Sequence, residues 1–133
     1  MSEPLVSVLM PVYNAATTLP ATLESLLCQT WHNFEIVAVD DGSTDDSLAL
    51  MQQWQQRDAR LRPIAAPHRG LIPALNCGLQ QCRGVYVARM DADDLAHPQR
   101  LEKQLRLFEQ EPDLSVVGCL VESFPPEDVA EGF

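Results

Sequence analysis

The chain has few basic residues, and Lys103 is its only lysine. Nine lysines and arginines stand against nineteen aspartates and glutamates, which gives a formal net charge of −10. Binding to a nucleic-acid backbone depends on clustered lysines and arginines, so this charge argues against a nucleic-acid partner. The sequence also lacks a signal peptide and an apolar run long enough to cross a membrane. We therefore expect a cytoplasmic protein, which in a longer form could act at the inner face of the membrane.

Several familiar ligand-binding motifs are missing as well. The four cysteines form no C-x-x-C pair and no zinc-ligand spacing, which favours reduced thiols. No G-x-G-x-x-G follows the first predicted strand, and no G-x-x-x-x-G-K-[ST] occurs anywhere, so two common phosphate-binding motifs are excluded. If the protein binds a diphosphate, a metal ion must neutralise most of its charge, helped by Arg69 or Arg89.

Apolar segments of strand length alternate with helical patterns along the chain. The length fits one domain, which we place at residues 1–121, with an irregular tail at 122–133. The alternation predicts an α/β fold with a mostly parallel sheet, right-handed crossovers and helices on both faces. The predicted strands are 6–10 (stopped by Pro11), 34–39, 61–65, a buried strand from Val85, and 114–119.

Four helices are expected between these strands. The first begins at Thr17 or Thr18, and the last begins at Pro98. Ser43 and Asp46 make a capping box for the second helix. The third helix has an apolar stripe that we expect to be its buried side, made of Leu71, Leu75 and Leu79.

Carboxylates directly follow two of the strands. Asp40 and Asp41 end the second strand, and Asp91-Ala92-Asp93-Asp94 ends the strand from Val85. Ligands of open α/β sheets bind at the carboxyl ends of the strands, so both groups should share one rim with residues 11–14 and 68–70. Crowded acids repel each other, and magnesium-type ions are held by one or two carboxylates together with substrate phosphates. Asp91-Ala92-Asp93 is therefore predicted to be a metal–diphosphate site.

Alternatives remain open from the residues alone. Asp40 and Asp41 could accept hydrogen bonds from a base or ribose, or could simply form a turn and helix cap. An aspartyl phosphotransferase or a receiver domain would also carry acids at strand ends. Both would want a lysine near those acids, whereas Lys103 falls on a helix face.

Five segments, in their order and spacing, resemble one known family: residues 6–14, 25–30, 39–45, 74–78 and 91–94, followed by Pro98, Arg100 and Leu101. Together they resemble the nucleotide-binding half of an inverting family 2 glycosyltransferase of the Rossmann-like GT-A fold. The resemblance implies a nucleotide-diphosphate-sugar donor, commonly a UDP-sugar, and Mn²⁺ or Mg²⁺. It also implies a saccharide or lipid-linked acceptor, as in cell-envelope polysaccharide synthesis.

The resemblance also assigns site residues. The nucleotide-binding residues that it implies are Pro11, Val12, Tyr13, Asn14, Asp40, Asp41, Arg69, Asp91 and Ala92. Asp41 would contact the base, with Asp40 beside it. Asp93 would be the main metal ligand, and Asp91 would lie near the ribose and the metal. His68 stands where the family usually has asparagine, so the loop at 68–70 departs from the pattern.

The catalytic base is not identified by these motifs. In the family it is an acid well beyond the D-x-D, in the acceptor-binding half, and Glu122, Glu127 and Glu131 are weak candidates. The sequence is thus expected to be a truncated piece that binds donor without transferring sugar. The alternative is a non-catalytic nucleotide-sugar-binding module.

Overall fold

Four parallel strands and four helices make up the computed structural model, which describes residues 4–118. The strands are β1 (Val6–Val12), β2 (Phe34–Asp41), β3 (Leu61–Ala66) and β4 (Tyr86–Arg89). The helices are α1 (Leu19–Leu27), α2 (Ser47–Arg57), α3 (Leu71–Gln81) and α4 (Arg100–Gln110). The order in the sheet is β3-β2-β1-β4, with every pair parallel.

Helices cover both faces of this sheet, as the sequence predicted. The larger core joins one face of β1 and β2 to the apolar sides of α1, α2 and α4. A smaller core lies under α3 on the other face and consists of Leu9, Val37, Val39 and Ala74. β2 is buried along its whole length, because it lies between β1 and β3 and has a helix layer on each face. The α/β prediction is therefore confirmed.

β4 is an edge strand of the described sheet, and the prediction of a fully buried strand was wrong. Its residues alternate between half-buried and exposed, and Val85 just before it is 76% exposed. Tyr86 and Ala88 pack against the larger core, whereas Val87 points to the opposite face of the sheet and is 45% exposed there. An apolar run can therefore mark a strand without showing that both of its faces are buried.

The buried side of α3 also differs from the prediction. Leu71 and Leu79 are 54% and 52% exposed, and the buried residues of the helix are Ala74 and Gly78. A methyl group added at Gly78 would lie 2.4 Å from Leu9 Cδ1, so the helix lies very close to the sheet. Small residues permit this approach, and of the predicted stripe only Leu75 packs, partly buried, against the smaller core.

Helix and strand ends were predicted less well than the elements themselves. The expected capping box is wrong, because α2 begins at Ser47 with no side-chain cap, and Ser43 Oγ instead accepts the Asn14 N–H. α4 begins at Arg100 rather than at Pro98. β1 continues past Pro11 to Val12. Proline has no N–H to donate, and at Pro11 that group would face β4. Because β4 pairs with β1 only as far as Leu9, β1 loses no strand hydrogen bond at Pro11.

Residues 114–118 lie in no strand, so the predicted fifth strand is wrong over this stretch, and Cys119 lies outside the described residues. No described strand offers these residues a hydrogen-bonding partner. The tail at 122–133 and the boundary at 121 also lie outside the described residues and stay predictions. Within residues 4–118, no helix is both long enough and apolar enough to cross a membrane.

Candidate functional site

A cavity of about 550 Å³ opens at the carboxyl ends of the strands. Its lining comes from β1 and the loop after it, from the end of β2, from the start of α3 and from the D-x-D turn. The lining residues are Pro11, Val12, Tyr13, Asn14, Ala15, Thr18, Asp41, His68, Gly70, Leu71, Ala74, Asp91, Ala92 and Asp93. The predicted convergence of Asp41 and Asp93 on one rim is confirmed. Asp40 and the side chain of Arg69 do not line this cavity.

Asp41 is buried at the floor of the site and is held by the loop before α3. Its Oδ1 accepts the Arg69 N–H at 2.9 Å, and its Oδ2 accepts the Gly70 N–H at 3.1 Å. The Arg69 N–H bond lowers the pKa of Asp41 most, and it outweighs the rise that burial would cause. The Gly70 N–H and the His68 ring lower this pKa further. Asp41 is therefore an ionised carboxylate, and it is hydrogen-bonded to backbone N–H groups of the loop before α3.

His68 and Tyr13 form one wall of the cavity. Their rings stack with centroids 4.3 Å apart and an interplanar angle of 21°. His68 Nδ1 also lies 3.0 Å from Asp41 Oδ2 and 3.0 Å from the Asp41 carbonyl oxygen. Gly42 brings the loop close, because its φ of +67° suits glycine and a methyl group there would lie 2.6 Å from His68 N. The departure of His68 from the usual asparagine thus falls inside the site.

Asp40 points to the opposite face of the sheet from Asp41, because successive residues of a strand alternate. Its Oδ2 accepts the Ser43 N–H at 3.2 Å. Its Oδ1 is buried and has no hydrogen-bond partner among the described residues. The expectation that Asp40 acts beside Asp41 at the ligand is therefore not supported by its placement.

Asn14 binds the β1 loop to the turn after β2. It has a positive φ of 48°, and its Oδ1 accepts N–H groups from Thr44 at 2.8 Å and Asp45 at 3.3 Å. Ser43 Oγ accepts the Asn14 N–H at 2.9 Å in return. Sequence reasoning assigned Asn14 to the nucleotide. It missed the hydrogen bonds by which Asn14 joins the two loops and holds the cavity wall.

Ala92 fixes the D-x-D turn against α1. Its carbonyl oxygen accepts hydroxyl hydrogen bonds from Thr18 at 3.0 Å and Thr22 at 2.9 Å. Thr18 and Thr22 lie one helical turn apart, so their hydroxyl groups reach the same oxygen. Sequence reasoning named Thr18 only as a possible helix start, and it missed the contact of both threonines with Ala92.

Three carboxylates meet at the D-x-D turn. Oxygen atoms of Asp91, Asp93 and Asp94 all lie within 4.8 Å of one another, and all three residues are exposed. Arg89 Nη1 pairs with Asp91 Oδ1 at 2.8 Å, whereas no ion pair engages Asp93 or Asp94 within residues 4–118. Desolvation raises the pKa of Asp94, and the negative charges of Asp93 and Asp91 raise it further. Such mutual repulsion is what a bound cation would relieve.

The share of the chain that matches a family model shows to which family the chain belongs. The sequence model described as Glycosyl transferase family 2 matches residues 7–131, which is nearly the whole chain. The chain belongs to this family. The putative glycosyltransferase EpsE of Bacillus subtilis is 40% identical over 119 residues, covering 88% of this chain and 43% of EpsE.

Two solved structures share the fold of this family 2 chain. S. aureus TarS 1–349 in complex with UDP has a TM-score of 0.75 and 27% identity, over 80% of this chain and 32% of TarS. The mannosyltransferase PcManGT from Pyrobaculum calidifontis, in complex with GDP-Man and Mn²⁺, has a TM-score of 0.82 and 27% identity. That match covers 97% of this chain and 38% of PcManGT. The GT-A fold is thereby confirmed, and the chain spans less than half the length of each of these relatives.

Proposed function

We propose that the cavity binds the nucleoside diphosphate of a nucleotide-sugar donor, and that the protein is a glycosyltransferase. The observation that carries this proposal is the meeting of Asp41 and the three-carboxylate turn in one cavity at the strand ends. Open α/β sheets bind their ligands at this edge. The UDP of TarS and the GDP-Man of PcManGT support a donor of this class. We favour a UDP-sugar, with the base near Asp41 and the diphosphate near Asp93.

Mn²⁺ or Mg²⁺ fits the carboxylates of the D-x-D turn. Hard divalent cations prefer oxygen ligands, and the oxygen atoms of Asp91, Asp93 and Asp94 are close enough to share one. Asp93 would be the main ligand, because it has no ion pair among the described residues, while Arg89 holds one oxygen of Asp91. A bound cation would stabilise the charge on the leaving diphosphate.

The remaining residues of the cavity would position the donor. Pro11, Val12, Tyr13 and Asn14 line the cavity together with Asp41, and this shared lining supports assigning them to the nucleoside. The side chain of Arg69 is exposed and lies outside the lining, so a phosphate contact through it would require that side chain to turn inward. Ala92 contributes its backbone to the turn rather than a side-chain contact.

Transfer with inversion to a saccharide or lipid-linked acceptor needs a base that removes the acceptor's proton. The lining carboxylates do not suit this role, because Asp41 is hydrogen-bonded to three residues of its loop and Asp91 and Asp93 serve the metal. We therefore place the base outside this cavity. The chain alone would act as a donor-binding module. A role in cell-envelope polysaccharide synthesis and a cytoplasmic location stay predictions.

Calorimetry with UDP tests the metal and nucleotide assignment together. We expect UDP to bind at least about tenfold more tightly with Mn²⁺ than without it, because the cation offsets repulsion between the carboxylates and the diphosphate. Asp93→Asn should abolish this difference. Asp113→Asn is a matched control, since it removes the same charge from an exposed residue distant in sequence from the D-x-D turn.

Two results would contradict the proposal. One is a chain that binds no nucleoside diphosphate with or without Mn²⁺ while remaining folded. The other is an Asp93→Asn variant that keeps the full Mn²⁺ dependence of the parent protein.

A further inference from the structure

The loop that carries the D-x-D acids, residues 91–101, lies along one side of α1. The residues of α1 and its two ends that face this loop are Thr18, Thr22, Ser25 and Gln29, and we call them the polar stripe. They recur at intervals of four, three and four residues, so they share one side of the helix. Each of their side chains makes a hydrogen bond to the backbone of the loop. The stripe therefore binds the loop along most of its length.

The first attachment is at Ala92, between two of the D-x-D acids. Its carbonyl oxygen accepts the hydroxyl groups of Thr18 and Thr22. Thr22 is 1% exposed and does not line the cavity, so a ligand in the cavity would not reach its hydroxyl. Thr22 can therefore influence such a ligand only through the turn that it holds.

The other attachments lie further along the loop. Ser25 Oγ accepts the Ala96 N–H at 3.1 Å. The side-chain amide of Gln29 donates to the His97 carbonyl oxygen at 2.7 Å and accepts the Leu101 N–H at 3.1 Å. Gln29 is 2% exposed, and a buried amide with partners on both its nitrogen and its oxygen is held in one orientation. Because all these bonds go to backbone atoms, they fix the path of the loop.

The acids on this loop repel one another. Oxygen atoms of Asp91, Asp93 and Asp94 lie within 4.8 Å of each other, and like charges at such distances disfavour close approach. Arg89 pairs with Asp91 and offsets part of this repulsion. A loop that was free to move would separate the carboxylates, and its hydrogen bonds to α1 oppose that movement.

We propose that the polar stripe of α1 holds the D-x-D carboxylates in position for a divalent cation before the cation binds, with Thr22 as a positioning residue. The apparent affinity of a site falls with the fraction of molecules that have the binding-competent arrangement. The stripe raises this fraction, so the cation does not have to gather the carboxylates itself. This inference rests on the proposed metal–diphosphate site and assigns part of its metal affinity to a residue outside the cavity.

Thr22→Val tests the inference, because valine has nearly the shape of threonine but no hydroxyl. Calorimetry with UDP gives the Mn²⁺ enhancement, which is the ratio of the UDP affinity with Mn²⁺ to the affinity without it. We expect the variant to lower this ratio about fivefold, which is the scale of one lost hydrogen bond. Its UDP affinity without Mn²⁺ should stay within about twofold of the parent's, because Asp41 and His68 keep their contacts.

A rescue variant and a matched control separate positioning from general stability. Thr22→Ser keeps the hydroxyl and should restore most of the Mn²⁺ enhancement. Ser7→Ala also removes a buried hydroxyl, but one that bonds to Glu35 near the amino end of β1. It should lower the Tm and leave the Mn²⁺ enhancement at the parent's value.

Gln29→Met is a second test of the stripe, because methionine has a similar length but makes neither amide hydrogen bond to the loop. We expect it to lower the Mn²⁺ enhancement by about threefold or more. Thermal unfolding without metal would show that each variant is folded.

The outcomes separate this inference from the proposed function. If the folded Thr22→Val and Gln29→Met variants keep the parent's Mn²⁺ enhancement, the positioning role is overturned while the nucleotide site stands. An equal loss of enhancement in Ser7→Ala overturns it as well, because lost stability would then explain the effect. If the parent protein binds UDP equally with and without Mn²⁺, or not at all, the proposed metal–diphosphate site and this inference both fail.

Discussion

At the scale of single residues, two adjacent aspartates have different environments. Asp41 faces α3 and the cavity, and it holds the backbone of Arg69 and Gly70. Asp40 faces the other side of the sheet and accepts the Ser43 N–H. The difference follows from strand alternation, because one step along β2 reverses the direction of the side chain. A motif of two acids therefore supplies one site carboxylate here rather than a pair.

Asp41→Asn tests how much the loop depends on this carboxylate. The amide replaces one acceptor with a donor that faces N–H groups, so we expect a loss of about 1–3 kcal/mol in the free energy of unfolding. UDP binding should weaken even without metal, because Asp41 and the His68 ring that it contacts both line the cavity. Urea unfolding and calorimetry measure the two effects.

Asp46→Asn is the control for this change, since Asp46 is exposed and its side chain makes no cap at the start of α2. It should leave both stability and UDP affinity close to those of the parent protein. Equal behaviour of the Asp41 and Asp46 variants would show that the Asp41 hydrogen bonds do not hold the loop.

At the scale of elements, a cluster of ion pairs around the buried Glu35 joins the strands at the end of the sheet opposite to the cavity. Glu35 of β2 accepts the Ser7 hydroxyl from β1 at 2.5 Å and pairs with Arg62 of β3 at 2.7 Å. It also accepts the Arg83 N–H just before β4. Burial would raise the pKa of Glu35, but these bonds together hold it below its ordinary value. Glu35 thus helps to fix the register of all four strands.

Glu35→Ala should lower the free energy of unfolding by about 1–3 kcal/mol at neutral pH, because the buried Ser7 hydroxyl loses its acceptor. The pKa of Glu35 is lower in the folded than in the unfolded protein, so its stabilisation is complete above about pH 4.5. That stabilisation is lost as the pH falls through the folded pKa. Urea unfolding between pH 7 and pH 3 should therefore show a weaker pH dependence in the variant.

Glu109→Ala serves as the control, since Glu109 is an exposed residue of α4 without an ion pair among the described residues. It should retain the acid dependence of the parent protein. If the Glu35→Ala variant loses stability below pH 4.5 as steeply as the parent, the assigned ionisation of Glu35 is wrong.

At the scale of the whole molecule, the two ends of the sheet differ in whether their acidic side chains are paired. The amino ends of the strands are joined by Glu35 and its arginines, whereas the carboxyl ends hold uncompensated acids around a cavity. For a molecule with net charge −10 and one lysine, we expect a cation to assist the proposed binding of a diphosphate. The cavity thus lies where open α/β sheets bind their ligands, outside the carboxyl ends of the strands.

The 133 residues are expected to bind a UDP-sugar with Mn²⁺ but not to transfer its sugar. A positioned base contributes about 10²–10⁴-fold to rate, and the cavity offers none. Release of UDP from labelled donors, with analysis of the sugar products, measures this. Slow hydrolysis to free sugar is compatible with the expectation, because water needs no acceptor pocket.

Asp93→Asn is the control for hydrolysis, which it should abolish if the metal assists departure of the diphosphate. Efficient formation of a glycoside by the parent chain would contradict the placement of the base. Glu122, outside the described residues, would then be the first residue to substitute.

Much of the fold and part of the site could be read from the sequence. Apolar runs and helical stripes, which are local properties, predicted the four described strands and the four helices in the right order, together with a fifth strand that is wrong over residues 114–118. The acids after β2 and β4 could be placed on one rim, because parallel strands end at the same edge of a sheet. The ordered motifs also indicated the family before any fold was known.

Tertiary structure decided the rest, because the deciding contacts join residues distant in the chain. β4 is half exposed since only β1 pairs with it in the described sheet, and α3 buries Ala74 and Gly78 since it lies close to β1 and β2. The bonds from His68 to Asp41 span 27 residues, and no local pattern encodes them. A sequence specifies which chemical groups are available, whereas packing determines which partners they meet and which atoms remain free for a ligand.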